Sequence, residues 1–108
     1  MGIGIDASTE EACTVLAVSG DLDLQTAPEL EQRLADVAGD VVVDLSAVEF
    51  LDSSGIGVLV NAALRIQDAG GAMRLACPRP HVQKVFRISR LAEVMPIHDS
   101  VAEATAAG

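Results

Sequence analysis

The sequence predicts an α/β domain of two layers, with a mixed sheet of four to five strands and about four helices. The chain opens with two strand-like apolar segments separated by a polar stretch, the pattern of an antiparallel hairpin. Strand-like runs then alternate with segments of helical periodicity, as in parallel β-α-β units. With 108 residues and 50% hydrophobic content, the chain is long enough for one core and short for two.

The first elements are a hairpin and the loop that follows it. Alternating apolar residues predict strands over 2–7 and 13–19, and the polar stretch 8–12 predicts the turn between them. Glycine and aspartate dominate residues 20–25, which indicates a loop.

The next segment predicts a capped helix that leads into a buried strand. Thr26, Pro28 and Glu29 are typical of a capping box, with Thr26 as the N-cap and Glu29 reaching back. Gly39 closes this helix. The β-branched run 41–43 predicts a strand covered on both faces, and 45–52 is expected to connect it to the next helix.

The second half of the chain continues the alternation. Its predicted elements are a helix over 54–69, a strand over 73–77, a helix over 81–89, a short strand at Ile97 and a terminal helix opened by the capping box Ser100–Glu103. The expected core face of the first of these helices carries Ile56, Leu59, Val60 and Ala63.

The charge of the chain is strongly negative and unevenly distributed. The formal net charge is -9, and residues 1–60 hold twelve acidic residues against a single base, Arg33. This balance argues against nucleic acid or an anionic membrane as a partner, and it favours a basic protein surface. Phe50 and Phe86 are the only aromatic residues, so the usual stacking platform for single strands or sugars is missing.

Cysteine usage and apolar segments predict a cytoplasmic protein without metal or cofactor. Cys13 and Cys77 lie in apolar stretches without the spacing of a metal site, so a reduced, buried pair is expected. Asp6 and Glu10 interrupt the apolar start, which is unlike a signal peptide. The longest charge-free apolar segment, 53–64, is shorter than the roughly 18 residues of a membrane span.

One strand-to-helix turn, residues 50–57, is richer in special residues than a helix start requires. Asp52, Ser53 and Ser54 are all good N-cap residues, although a helix needs one. Gly55 and Gly57 each cost roughly 1 kcal/mol of helix propensity relative to alanine. Close approach of another molecule or tight packing at the turn would explain them. An ordinary capped helix start and a functional site both remain open on spacing alone.

Catalytic interpretations of this turn fit poorly. Neither serine has glycine two positions away on both sides, as a nucleophile elbow requires, and the available histidines would be His81 or His98. No lysine precedes position 84, which excludes a Walker loop here. The pair Gly55 and Gly57 lacks the third glycine of a dinucleotide site. We therefore expect no enzyme and assign no catalytic residue.

A hydroxyl that acts as a switch fits the turn better. A phosphate on Ser53 would add roughly -1.5 to -2 charges at neutral pH. The free N–H groups and the dipole at the start of the helix would tolerate that charge, so the fold need not change. A partner docked on the turn would nevertheless meet a dianion beside Asp52. The predicted switch therefore blocks a surface and leaves the domain intact.

The sequence resembles the bacterial anti-sigma factor antagonists of the STAS domain family. The resemblance is carried by Phe50-Leu51-Asp52-Ser53-Ser54-Gly55-Ile56-Gly57, preceded by Gly20-Asp21-Leu22-Asp23 and Thr26, and it extends over nearly the whole chain. It implies a single STAS domain over 1–108, with a mixed sheet flanked by helices.

The resemblance also implies a function and a set of site residues. The unphosphorylated form would bind an anti-sigma factor, itself a serine protein kinase, and release the sigma factor. Phosphorylation of Ser53 would block that binding, and a PP2C-type phosphatase would reverse it. The residues expected to bind the partner are Asp21, Asp23, Asp52, Ser54, Gly55 and Ile56. The alternatives are a STAS scaffold subunit of a lipid-transport or stressosome-like complex, and a small hydrolase using Ser53 or Ser54.

Overall fold

A computed structural model describes residues 2–88 and 93–107 of the chain. Its five strands are β1 (Gly4–Glu10), β2 (Cys13–Leu22), β3 (Val41–Leu51), β4 (Met73–Ala76) and β5 (Ile97–His98). Its helices, within those residues, are α1 (Ala27–Ala35), α2 (Ser53–Asp68), α3 (Pro80–Ile88) and α4 (Val101–Ala106). The predicted fold class, a mixed α/β sheet with four to five strands and about four helices, is confirmed.

The strands lie in the sheet in chain order, from β1 to β5. β1 pairs antiparallel with β2, and every later neighbouring pair is parallel. The predicted hairpin is therefore confirmed, although its turn is shorter than expected. β1 continues to Glu10, and the chain reverses at Glu11 and Ala12, which both have positive φ angles. Residues 8–10 belong to the strand because they pair in register with β2.

β2 and β3 are longer than the sequence indicated. The predicted loop over 20–25 begins only after Leu22, and the predicted connection over 45–52 is strand as far as Leu51. Both extensions pair with each other, with Asp21 opposite Phe50 and Leu22 opposite Leu51. The glycine and aspartate content that predicted a loop is overridden at Gly20 and Asp21, because these residues pair with Val48 and Phe50; two register shifts interrupt the ladder.

The helices differ from prediction mainly at their ends. α2 begins one residue earlier than expected, and α3 begins at Pro80 instead of His81. The predicted end of α3, Ser89, lies outside the described residues. The capping box of α4 is confirmed in its first half, because Ser100 Oγ accepts a hydrogen bond from the Glu103 N–H at 3.1 Å. The Glu103 carboxylate accepts from the N–H of Asp99, one residue earlier than the predicted partner.

The two faces of the sheet are covered to different extents. Buried residues of α1, α2 and α3 share one large apolar cluster with alternate residues of β2, β3 and β4. A second, small cluster on the opposite face includes Val15, Val42 and Ala76, packed against Ala104 of α4. α4 thus adds a partial third layer to the predicted two. The ends of β2 and β3, at Leu22 and Leu51, position the site.

Both cysteines have free thiols. Cys13, the first residue of β2, is buried, and Cys77, directly after β4, is partly buried; both contribute to the small cluster. Burial, with help from the nearby Asp44 carboxylate, raises the pKa of the Cys77 thiol. The expected buried pair is therefore correct for Cys13 and only partly so for Cys77.

Candidate functional site

The ends of β2 and β3 bring the two predicted segments, 21–23 and 52–57, to one edge of the molecule. The Asp52 N–H donates to the Leu22 carbonyl oxygen at 3.1 Å, directly after the last register pair, Leu22 with Leu51. Parallel strands end at the same edge of a sheet, which is where functional groups gather in open α/β folds. The two connections that leave this edge, one into α1 and one into α2, form the site.

The β2–α1 connection is closed by hydrogen bonds within itself. One carboxylate oxygen of Asp23 accepts from the N–H groups of Gln25 and Thr26, at 3.0 and 3.1 Å. Thr26 Oγ1 accepts from the Asp23 N–H at 3.0 Å and donates to the Asp21 carbonyl oxygen at 2.7 Å. Thr26 is only 3% exposed, so the hydrogen bonds of its hydroxyl are partly shielded from water, whereas the bond from Gln25 is exposed.

This network corrects the predicted capping box at Thr26. Thr26 has helical backbone angles, and its side chain makes no capping hydrogen bond to α1. The reason is competition: the hydroxyl is already used by Asp21 and Asp23, whose turn precedes the helix. Asp23 therefore performs a local structural task in addition to the contact expected of it.

In the β3–α2 connection, a single residue carries the capping. Asp52 has extended backbone angles, as an N-cap requires, and its carboxylate accepts from the Ser54 N–H at 2.9 Å. Ser53 follows as the first helical residue and is exposed. Among the described residues, no hydrogen bond of the Ser53 hydroxyl is found. The side chain is thus unused by the fold and accessible to solvent.

The two glycines of this turn have different structural settings. A Cβ on Gly55 would lie 2.7 Å from Leu51 Cδ1 and 2.9 Å from Leu22 Cβ, far inside contact distance. Gly55 is buried, so close packing of α2 against the sheet explains it. A Cβ on Gly57 would meet nothing within 4 Å. Packing therefore accounts for the first glycine and leaves the second unexplained.

The remaining predicted contact residues lie at the same edge with graded exposure. Asp21 is exposed, whereas Asp23, Asp52, Ser54 and Ile56 are partly buried. Ile56 packs against the main core cluster, in agreement with its predicted place on the inner face of α2. The structure therefore brings together all the residues singled out from the sequence, and it buries only Gly55.

A shallow acidic groove adjoins the β2–α1 connection. Its volume is about 320 Å³, and it is lined by Gly2, Gly20, Asp21, Asp23, Gln25 and Glu49. The Glu49 carboxylate forms an ion pair with Arg79, whose guanidinium lies 3.9 Å away. Both of these side chains are largely exposed, so their attraction is worth no more than about 1 kcal/mol. Three carboxylates, those of Asp21, Asp23 and Glu49, therefore line the groove, and one of them is paired with Arg79.

Three further residues of this edge were not predicted to contact a partner: Glu49, Phe50 and Leu24. Phe50 opens the predicted 50–57 turn and the segment that carries the STAS resemblance, but no contact was assigned to it. Phe50 is 50% exposed and Leu24 is 76% exposed. The signal that could have found Phe50 is the break in alternation before Leu51, which places two successive residues on the outer face. No such signal exists for Leu24, because exposure in a turn follows from tertiary structure.

The site offers little support for catalysis or metal binding. The His81 imidazole donates from Nε2 to the Glu49 carbonyl oxygen at 2.5 Å, and the described residues include no histidine hydrogen-bonded to Ser53 or Ser54. Over 2–88 and 93–107, no group of three or more metal-ligating side chains is arranged to hold an ion.

The helices within the same ranges include none long and apolar enough to cross a membrane.

Comparison with known proteins gives a consistent result. The chain is 27% identical over 105 residues to the anti-sigma F factor antagonist of Paenibacillus polymyxa, covering 93% of this chain and 90% of that protein. It is also 27% identical over 100 residues to the anti-sigma-B factor antagonist of Bacillus subtilis, covering 90% and 92% respectively.

A solved structure and a family model agree with these relatives. The crystal structure of an anti-sigma factor antagonist from Mycobacterium paratuberculosis superposes with a TM-score of 0.87 at 29% identity, covering 97% of this chain and 92% of that one. The family model of the STAS domain matches residues 4–104. The chain belongs to the STAS domain family.

Proposed function

We propose that this protein is an anti-sigma factor antagonist whose binding is switched at Ser53. In the unmodified state it binds an anti-sigma factor that is also a serine protein kinase, and the sigma factor is released. The observation that carries the proposal is the exposed hydroxyl of Ser53, which stands beside the Asp52 cap and takes no part in the hydrogen bonding of the described fold. The names of the relatives support the general role.

The docking surface of the proposed complex combines the two connections at the sheet edge. Asp21 is exposed there, and Asp23, Asp52, Ser54 and Ile56 are partly exposed. The carboxylates favour a basic partner surface, because complementary potentials steer association and suppress wrong partners. Gly57 has open space where a side chain would stand, which lets a partner backbone approach the first turns of α2.

Modification of Ser53 would turn attraction into repulsion. The γ-phosphoryl group of ATP passes to Ser53 Oγ, the hydroxyl proton leaves to the kinase, and ADP is released. The phosphate brings roughly -1.5 to -2 charges to a surface that already holds Asp52. Because Ser53 is the first helical residue, the helix dipole tolerates the added charge and the fold is preserved. A PP2C-type phosphatase restores the binding form.

The proposal excludes catalysis by this chain itself. A hydrolase that used Ser53 or Ser54 would need a general base within hydrogen-bond reach of the hydroxyl. His81 instead donates to the Glu49 carbonyl oxygen. Loss of a hydrolase activity in Ser53→Ala would contradict this part of the proposal.

Phosphate mapping tests the proposed switch. The protein is incubated with ATP and candidate anti-sigma factors that have kinase activity, and mass spectrometry locates the phosphate. We expect one phosphate, on Ser53, that is absent in Ser53→Ala and retained in the matched control Ser54→Ala. The absence of phosphate on Ser53 with every candidate anti-sigma factor would contradict the switch and favour the scaffold alternative.

A further inference from the structure

Two large apolar side chains remain exposed beside the docking surface. Leu24 is 76% exposed in the β2–α1 connection, and Phe50 is 50% exposed near the end of β3. Leu64 and Ile88 are exposed to similar extents, 48% and 76%, but they lie on α2 and α3. The chain therefore offers one apolar pair at the site and a matched pair elsewhere.

A register shift turns Phe50 outward. Gly20 pairs with Val48, but Asp21 pairs with Phe50, so Glu49 is an extra residue in β3. With strict alternation after the buried Val48, Phe50 would point into the core. The inserted residue reverses that parity and leaves Leu51 as the next buried side chain. Bulges of this kind re-aim side chains next to functional sites.

Both apolar residues lie close to the joint between the strands. Leu24 is two residues beyond Leu22, whose carbonyl oxygen accepts from the Asp52 N–H at 3.1 Å, and Phe50 is two residues before Asp52. Two residues of extended chain span at most about 7 Å. Phe50, in β3, and Leu24, in the β2–α1 connection, thus both lie near the joint, and Ser53 follows Asp52 directly.

The charges around this pair indicate what covers it. Phe50 is the cross-strand partner of Asp21, and Glu49 and Asp23 line the adjoining groove. A membrane surface rich in anionic lipid would be repelled by these carboxylates. A second copy of this chain would bring the same negative charges to the same place. A protein surface with an apolar patch bordered by lysine or arginine fits both features.

We propose that Phe50 and Leu24 are the apolar anchors of the docking surface, and that they insert into an apolar patch with a basic rim on the anti-sigma factor. This inference rests on the function proposed above. Interface affinity is concentrated in a few residues that become desolvated at the centre, with aromatic side chains prominent among them. The surrounding carboxylates set orientation and association rate, whereas Phe50 and Leu24 supply the affinity.

Binding measurements with matched variants test this inference. Calorimetry gives Kd for the anti-sigma factor with the unmodified protein, Phe50→Ala and Leu24→Ala, and with the exposure-matched controls Leu64→Ala and Ile88→Ala. We expect Kd to rise at least about tenfold for Phe50→Ala and about threefold for Leu24→Ala. The controls should remain within about twofold, and thermal unfolding should show that all four variants are folded.

Salt dependence separates the anchors from the carboxylates. The fold-change caused by Phe50→Ala should persist between about 0.05 M and about 0.5 M salt, because burial of apolar surface is little screened. The effect of Asp21→Asn should shrink over the same range. A Phe50→Ala effect that disappears with salt would overturn the assignment of Phe50 as an anchor.

The outcomes distinguish this inference from the proposed function. If the unmodified protein binds and both site variants behave like Leu64→Ala and Ile88→Ala, the anchors are wrong and the proposed function stands. If the unmodified protein binds no anti-sigma factor, the proposed function fails and the anchor assignment fails with it. If Phe50→Ala instead dissociates a homodimer and leaves anti-sigma binding unchanged, a second copy occupies the surface and the inference is overturned.

Discussion

The two connections that form the site use similar residues in opposite ways. In the β2–α1 connection, the polar groups of Asp23 and Thr26 are hydrogen-bonded to each other and to neighbouring backbone, and Thr26 is buried. In the β3–α2 connection, Asp52 alone caps the helix and Ser53 is left exposed. The first connection is thus held together by its own hydrogen bonds, whereas the second carries a hydroxyl that makes no hydrogen bond in the described fold.

The largest change in the free energy of unfolding is expected for a substitution in the β3–α2 connection. Gly55→Ala would place Cβ 2.7 Å from Leu51 Cδ1 and 2.9 Å from Leu22 Cβ. We expect the free energy of unfolding to fall by about 3 kcal/mol, because overpacking forces α2 away from the sheet. Urea denaturation measures the change.

Gly57→Ala is the matched control for that substitution. A Cβ there meets nothing within 4 Å, so only the gain in helix propensity remains, worth up to about 1 kcal/mol of added stability. Equal destabilisation by the two substitutions would show that α2 does not pack against the sheet as described.

The next largest change in stability is expected for a substitution in the β2–α1 connection. Thr26→Ala removes a hydroxyl that accepts from the Asp23 N–H and donates to the Asp21 carbonyl oxygen. Because Thr26 is buried, we expect a loss of about 2 kcal/mol in unfolding free energy. Thr26→Ser keeps the hydroxyl and should recover most of that loss. Denaturation curves that place the serine and alanine variants together would contradict the network.

A smaller effect belongs to the cap of α2. Asp52→Ala removes the acceptor of the Ser54 N–H and should cost about 1 kcal/mol of stability. Asp52→Asn retains an acceptor oxygen, so thermal unfolding should show a much smaller change. If asparagine destabilises as much as alanine, the charge of Asp52 and not its hydrogen bond supports the helix start.

The sequence predicted the elements of this edge better than their details. The hairpin, the α2 start and the position of Ser53 followed from alternation and cap residues, which are local properties. The ends of β2 and β3 did not follow from such local properties, because the bulge at Glu49 depends on pairing between two strands that are far apart in the sequence. Threonine is a common N-cap residue. Only the positions of Asp21 and Asp23 in the structure show why the Thr26 hydroxyl is hydrogen-bonded to them and does not cap the helix.

Gly55 and Gly57 differ in their packing for a reason that is likewise not local. From sequence, Gly55 and Gly57 had equal claims to packing or to partner contact. Their difference depends on how closely α2 approaches Leu22 and Leu51, a distance that no local pattern contains. The STAS resemblance identified the segment as a whole, but assigning separate tasks to its residues required coordinates.

The affinities of Ser53→Ala and Ser53→Asp for the anti-sigma factor test the proposed switch at Ser53. Ser53 has no bonding role in the described fold, so both variants should unfold within about 0.5 kcal/mol of the unmodified protein. We expect Ser53→Ala to keep the unmodified Kd within about twofold and Ser53→Asp to raise it at least about tenfold. Ser46→Asp, which adds the same charge at an exposed position earlier in β3, serves as the control. Equal affinity of Ser53→Ala and Ser53→Asp would contradict the switch at this turn.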